Sequence, residues 1–485
     1  MSQTAPLAAT AASAPTTTAA DRPSLLALLV MLSGTFMAVL DFFIVNVAIP
    51  SIQHELHASS GALQLIVIGY GLANAAALIT GGRLGDIHGR RRLFMIGIGL
   101  FTLASAACGL APSAEWLVAA RVVQGIAAAL LQPQVLAMLG TLFGGAHRQR
   151  AFAAYGLTLG IAAAGGQLIG GLLIDANLAQ LGWRSCFLIN VPIGVLALLL
   201  SRRVLPAMRG QPTSRLDLPG TALIAAALAT AVLPLAQGRE QGWPLWSLGC
   251  LAAAVPLLAL FWRYQRGLDA RGGQPLVAPA LIAHRRFALG LLVTLVFFAG
   301  NASFYFVLAL YLQQGIGLAP LASGLVFTTL AVGFFATSMA SPWFAQRLGR
   351  HAIFAGALAL AAGHALLHVA LPYLSAAHVA WMLPVLLIQG CGLGMVMAPL
   401  AATVLAGLPQ QHAGVASGVM ATMQQVGNAL GVALIGILYY GVEHGTPIHA
   451  FGASLVFLFA LAMAVALLYR RFSRASIDPA GPASR

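Results

Sequence analysis

The sequence predicts an all-α membrane protein of fourteen transmembrane helices, arranged as two six-helix halves with two further helices inserted between them. Three observations predict it. The 485 residues are 60% hydrophobic and 7% charged, with a mean hydropathy of +0.89, too few polar groups to clothe a soluble globule of this size. Apolar runs of about twenty residues, the length that crosses roughly 30 Å of hydrocarbon, recur along the whole chain. A weak internal repeat relates the runs of the first part to those of the last.

Residues 1–23, rich in Ala, Thr and Ser, carry no basic, apolar and cleavage-like sequence of regions and are expected to be a disordered cytoplasmic tail. The runs then fall at 24–50, 61–82, 93–111, 115–139, 151–174, 186–204, 217–236, 243–263, 287–312, 319–345, 351–371, 379–407, 413–440 and 450–470. The first six make an N-terminal half, 24–204; two lie in a linker region, 205–270; the last six make a C-terminal half, 271–472, before a cytoplasmic tail, 473–485. The repeat supports this division. Gly89-Arg90 with Phe94 recurs as Gly349-Arg350 with Phe354, and Gln124-Gly125 with Pro133 recurs as Gln389-Gly390 with Pro399. Gly156, Gly166 and Gly170 recur near Gly418, Gly427 and Gly431 with a one-residue slip. Parallel halves of this kind place a substrate site near the midplane between them.

The net charge of +14 invites a nucleic-acid reading, but its distribution does not support one. There is no lysine, and 22 of the 25 arginines lie on the side that holds both termini, as the positive-inside rule requires of a cytoplasmic face. Only Arg184 and Arg239 fall in loops of the other face. Basicity therefore reports topology, with attraction to anionic membrane lipid second. Cys108, Cys186, Cys250 and Cys391 fall singly in or beside apolar runs, without disulfide or ligand spacing. No phosphate-binding loop of the Gly-x-x-x-x-Gly-Lys type exists, so energy must come from an ion gradient or from the substrate's own gradient. No cofactor and no metal site is expected.

Two charges stand well inside the runs, away from their ends, Asp41 and Arg121. Each costs about 2.5–3.5 kcal/mol at a helix centre on insertion scales, which makes both functional candidates. A carboxyl in a partly dry cavity has its ionised form disfavoured and can take up and release a proton, so Asp41 is the expected proton carrier. The bland alternative is a polar pin between helices. Arg121 and Gln124, three residues apart, share a helix face. Arg121 is expected either to face the cavity and hold Asp41 or a water chain, or to snorkel outward. Asn46, Asn74, Gln124, Gln167 and Asn301 are candidate polar groups of the cavity, and Gln424, Gln425 and Asn428 are polar groups of span 13 that need partners. Phe297, Phe298, Phe304, Tyr305 and Tyr311 form an aromatic stripe that either lines a cavity or packs. His364 and His368, spaced i, i+4 without a third ligand, read as packing residues rather than a metal site.

The segment between spans 2 and 3, Gly82-x-Leu84-x-Asp86-x-x-Gly89-Arg90-Arg91, resembles the signature loop of the major facilitator superfamily. Its counterpart, Gln346-Arg347-Leu348-Gly349-Arg350, is degraded. Leu40-Asp41 through Asn46 to Pro50 in span 1, Arg121-Val122-Val123-Gln124-Gly125 in span 4 and Trp183-Arg184 through Phe187-Leu188-Ile189-Asn190-Val191-Pro192 at the start of span 6 are similar to the fourteen-span drug:proton antiporters, the EmrB/QacA group. The resemblance implies the major facilitator fold with both termini cytoplasmic, proton coupling through Asp41 and Arg121, and a gating loop at Gly82, Asp86, Gly89, Arg90 and Arg91. In span 5 the group places a proline after glycine, whereas this chain has Gly166-Gln167. Losing it predicts a span without that kink. Gly160, Gly166, Gly170 and Gly171 still offer a small-residue face for close helix packing.

The expected function is proton-coupled efflux of small hydrophobic or cationic compounds across a bacterial inner membrane by alternating access. A proton symporter or facilitator for a metabolite on the same fold is the alternative, encouraged by the missing proline. A non-transporting membrane sensor would leave Asp41 without a role, and an enzyme would need a cluster of acids, bases or metal ligands that the chain lacks. A periplasmic adaptor stays open as a partner, although the loop of about ten residues between spans 13 and 14 is short for docking one.

Overall fold

The computed structural model of the chain describes residues 25–208, 210, 216–406, 408, 413–442 and 446–475. The tail expected at 1–23 and residues 476–485 of the other lie outside the described residues. Among the described residues the chain is helical throughout and has no strand. The helices are α1 (Leu25–Leu56), α2 (Ser60–His88), α3 (Arg90–Gly109), α4 (Ala114–Leu142), α5 (Gly145–Ala176), α6 (Ser185–Leu188), α7 (Asn190–Val204), α8 (Leu218–Gln237) and α9 (Leu245–Ala270). They continue as α10 (Pro279–Ala283), α11 (Arg285–Leu310), α12 (Pro320–Met339), α13 (Ser341–Leu348), α14 (Ala352–Ala370), α15 (Met382–Leu405), α16 (Ala413–Gly441) and α17 (Pro447–Ala475). Thirteen spans, one of them α6 and α7 joined over Gly182–Val204, are long and apolar enough to cross a membrane as single elements, and α5 makes a fourteenth as a bent one. An even number of crossings returns the chain to the side on which α1 begins.

The helices outrun the apolar stretches because polar groups complete their ends. Ser59 and Ser113 accept from the backbone N–H of Ala62 and Trp116, and so cap α2 and α4, and Asp217 does the same for α8 through Gly220. Three expectations need correction. The signature segment is not a loop: Gly82 and Asp86 lie on the last turns of α2, and Gly89 alone separates α2 from α3. Its φ is +93° and an added Cβ would strike Met208 O, which is why glycine stands there. The run 319–345 holds one span but a shorter one, since α12 ends at Met339 and the short α13 follows. Finally α5 bends by 41° between His147–Ala163 and Gly165–Ala176 without a proline. The adjacent Gly165 and Gly166 supply the local pliancy.

Helices α1–α7 form one bundle, in which α4 packs on α2 and α3, α1 on α5, and α3 on α7; α11–α17 form another, in which α15 packs on α12 and α14, α11 on α16, and α17 on α14. The bundles meet through α5 against α12 and α2 against α16. Glycines allow these crossings. Gly166 stands 2.9 Å from Phe43 Cβ of α1 when given a Cβ, Gly170 meets Ile44, and Gly160 and Gly171 meet Phe335 and the Pro320–Leu321 backbone of α12. Helix α8 packs against α2 and α16 along one seam, and α9 packs on α8. At the end away from the termini the two bundles are sealed. Gln314 Nε2 donates to Gln53 Oε1 (2.7 Å), Gln313 Nε2 to Val47 O (3.1 Å) and Leu321 N to Asp175 Oδ2 (3.2 Å), over an apolar cluster that includes Ile49, Leu63, Leu312 and Leu455. The last turn of α11 widens into a π-helix, Tyr311–Gly315, which presents both glutamines to α1.

Candidate functional site

Asp41, at the middle of α1, is fully buried, and so is Arg121 of α4. Arg121 Nη1 donates to Asp41 Oδ2 and closes an ion pair. The other carboxylate oxygen accepts from Gln124 Nε2 (2.7 Å) and Asn190 Nδ2 (3.1 Å). Arg121 is held further by Ile66 O, which accepts from Nε at 3.0 Å, by Gln124 Oε1, which accepts from Nη1 at 2.7 Å, and by the Tyr70 ring 4.4 Å from its guanidinium carbon. Tyr70 is itself fixed, its O–H donating to Ala38 O at 2.9 Å. Gln124 Nε2 also donates to Ser105 Oγ of α3 (2.8 Å). The i, i+3 spacing of Arg121 and Gln124 aims both at α1, and α2, α3, α6 and α7 close the remaining sides.

Arg121 therefore does not snorkel outward; it holds Asp41, as the other expectation had it. It lies inside the α1–α7 bundle, where a guanidinium and a carboxylate satisfy each other. Such a pair tolerates burial only with good geometry and added hydrogen bonds, and loss of one partner costs about 3–5 kcal/mol. Arg121 Nη2 and Asn190 Oδ1 have no partner, so the knot retains a spare donor nitrogen with two N–H groups and a spare acceptor oxygen.

Of the five polar candidates, the structure brings only Gln124 to Asp41. Asn46 Nδ2 turns back on its own helix to Phe43 O (3.1 Å), and Gln167 Nε2 reaches the same carbonyl from α5 (3.0 Å). Gln167 thus clasps α5 to α1 where the expected proline would stand. Asn74 is fully buried and neither amide atom has a partner. Asn301 belongs to the other bundle. Sequence reasoning missed Asn190, Ser105 and Tyr70 as members of the site. Asn190 was visible as an amide within an apolar run, whereas a serine and a tyrosine in such a run give no signal.

The residues of the signature segment form a second group at the end where α1 begins. Arg90 donates to Asp86 Oδ1 (3.2 Å) and to Ala137 O (3.1 Å), and Arg91 to Arg202 O (2.6 Å), tying α3 to α4 and α7. Gly82 makes only ordinary contact with Pro133 (3.6 Å for an added Cβ), and the close approaches fall at Gly81 and Gly85 instead. The aromatic stripe is buried. Tyr305 stacks on Phe327 (5.6 Å) and meets Phe43 of α1 edge-on (5.2 Å), while Tyr311 stacks on Phe451 (4.3 Å). His368 Nδ1 pairs with Gly452 O at 3.2 Å, and among the described residues no group of three or more His, Cys, Asp or Glu could hold a metal.

Thirteen membrane-length spans, fourteen with the bent α5, gathered into two helical bundles with Asp41 and Arg121 locked into the core of one, define a multi-pass membrane protein. A sequence profile described as Major Facilitator Superfamily matches residues 31–432, and the chain belongs to that superfamily. It is 37% identical to the "Probable actinorhodin transporter" of Streptomyces coelicolor over 86% of this chain and 72% of that one. It is 35% identical to the "Puromycin resistance protein pur8" of Streptomyces alboniger (91% and 90%), and 35% to the "Cephamycin export protein CmcT" of Amycolatopsis lactamdurans (91% and 92%). Among solved structures, a POT family transporter in complex with 5-aminolevulinic acid shares the fold at a TM-score of 0.68 and 16% identity, over 93% of this chain and 98% of that one. The protein is a multi-pass plasma-membrane transporter.

Proposed function

We propose that the protein exports small hydrophobic or cationic compounds from the cytoplasm in exchange for protons, with Asp41 as the proton carrier and Arg121 as its counter-ion. One observation carries the coupling: Asp41 is the one fully buried carboxylate among the described residues, and it is paired. While ionised it neutralises Arg121. When it takes a proton, the O–H group no longer balances the guanidinium, and an uncompensated positive charge stands in the bundle core. The knot then favours a rearrangement in which α1 and α4 shift, and release of the proton on the other side restores the pair.

Export is supported by the names of relatives at 35–37% identity, two called transport or export proteins and one a resistance protein. In this reading the termini face the cytoplasm, the halves 24–204 and 271–472 rock about the α5–α12 and α2–α16 seams, and Arg90, Arg91 and Asp86 latch the cytoplasmic end. The experiment uses proteoliposomes holding a pH-sensitive dye, with ethidium as probe. Ethidium movement against its gradient accompanied by opposite proton movement supports antiport. Ethidium and protons moving in the same direction would replace it with symport, and movement without protons with facilitated diffusion.

A further inference from the structure

The α11–α17 bundle carries a polar pocket where the other bundle carries its ion pair, and the correspondence follows from helix crossings. On α1, Gly166 of α5 stands against Leu40 O and Phe43; on α11, Gly427 of α16 stands against Leu295 O (2.6 Å for an added Cβ) and Phe298 (3.2 Å). Asp41 therefore corresponds to Val296. On α4, Gly125 meets the Tyr70 backbone of α2; on α15, Gly390 meets the Leu330 backbone of α12. Gln124 therefore corresponds to Gln389, and Arg121 to Leu386. Both charges have been replaced by apolar side chains, while the glutamine is kept.

Gln389 has lost the partners that Gln124 enjoys. It is 1% exposed, and neither its Nε2 nor its Oε1 has a hydrogen bond. His364 of α14 is 5% exposed, its Nδ1 is also unpartnered, and its ring lies 5.2 Å from that of Phe304. Both side chains line one cavity with Val296, Asn301, Phe304 and Tyr305, and no charged residue lines it. The cavity leaves ≈ 30 Å³ open to the centres of water molecules, room for about two or three waters at ~10–15 Å³ each. Buried amide and imidazole groups of this kind require partners. Tyr305, on the wall, reaches the seam between bundles through its edge contact with Phe43, so the cavity lies one ring behind that seam.

We propose that this pocket is a subsite for one uncharged hydrogen-bonding group, such as a carboxamide, carried on an apolar substrate, which displaces the pocket's waters. An amide matches what the pocket offers, since Gln389 presents both a donor and an acceptor. A cationic group finds no counter-charge there and loses its hydration, so the positive charge of a cationic substrate such as ethidium lies outside this pocket. This refines the substrate class of the efflux reading and rests on it.

The test is ligand-observed NMR on the purified, detergent-solubilised transporter with benzamide, benzylammonium and toluene as probes. Benzamide should bind, with benzylammonium and toluene each at least about tenfold weaker, as expected for loss of hydrogen bonds in an apolar site. Gln389→Leu should weaken benzamide about tenfold and leave toluene unchanged. Equal binding of all three probes to the wild type, or benzamide binding unchanged in both Gln389→Leu and His364→Leu, would overturn the proposal. The probe comparison uses wild-type protein only, so a variant that fails to fold does not decide the result. Binding is read without a proton gradient, so failure of proton coupling leaves it intact.

Discussion

Replacing Asp41 by Asn keeps the side chain's shape and strands Arg121 as a buried cation. Loss of one member of a buried pair costs about 3–5 kcal/mol. Arg121 would keep Ile66 O at 3.0 Å, Gln124 Oε1 at 2.7 Å and the Tyr70 ring at 4.4 Å, which places the cost near the lower figure. Arg121→Gln alone leaves the carboxylate with Gln124 and Asn190 as its donors and should cost a similar amount. The double variant holds no charge and should be less destabilised than either single one. Reversible unfolding in mixed micelles measures all four proteins, with an expected coupling of at least about 3 kcal/mol, at the top of the ~0.5–3 kcal/mol range for residues in contact. Additive losses, or single variants within about 0.5 kcal/mol of wild type, would refute the view that the pair is a mutually dependent unit.

Further outcomes follow from the same geometry. Gly89→Ala should cost about 1–3 kcal/mol, read as a lower melting temperature, because of its φ of +93° and the nearby Met208 O, whereas Gly349→Asn, at φ +50° with open space around it, should be tolerated. Gly171→Leu should prevent α5 from seating on Pro320 and Leu321; efflux should fall below about a tenth of wild type, and a Gln53→Cys/Gln314→Cys pair should lose its cross-link. A Thr80→Cys/Thr221→Cys disulfide, placed where the two hydroxyls lie 2.7 Å apart, should leave efflux intact if α8 travels with α2, and a loss of efflux would contradict that.

The spans and the buried pair were legible in the sequence because lipid imposes a simple rule: a helix must be apolar for some thirty ångströms, and any charge within it needs a reason. That rule found Asp41 and Arg121 and did not say which way they face. Facing depends on the rotation of each helix, which glycine contacts such as Gly166 on Phe43 determine and no single span encodes. The same limit explains the misplaced Asn46 and Gln167, whose amides satisfy a backbone carbonyl of α1, and the unnoticed Ser105 and Tyr70. The bend of α5 gives no proline signal in the sequence, because paired glycines suffice for it. In sequence the second bundle shows a repeated Gln389-Gly390 and no charge in the middle of a span. What it kept, Gln389 without partners beside His364, becomes visible only when the helix crossings are superposed.

The central claim is that Asp41 couples proton movement to transport while leaving substrate passage itself to the rest of the fold. Ethidium transport by Asp41→Asn in proteoliposomes, measured once as exchange without any gradient of protons and once as accumulation driven by one, tests it most directly. The predicted result is exchange that persists while proton-driven accumulation disappears. Accumulation at the wild-type level would contradict the account.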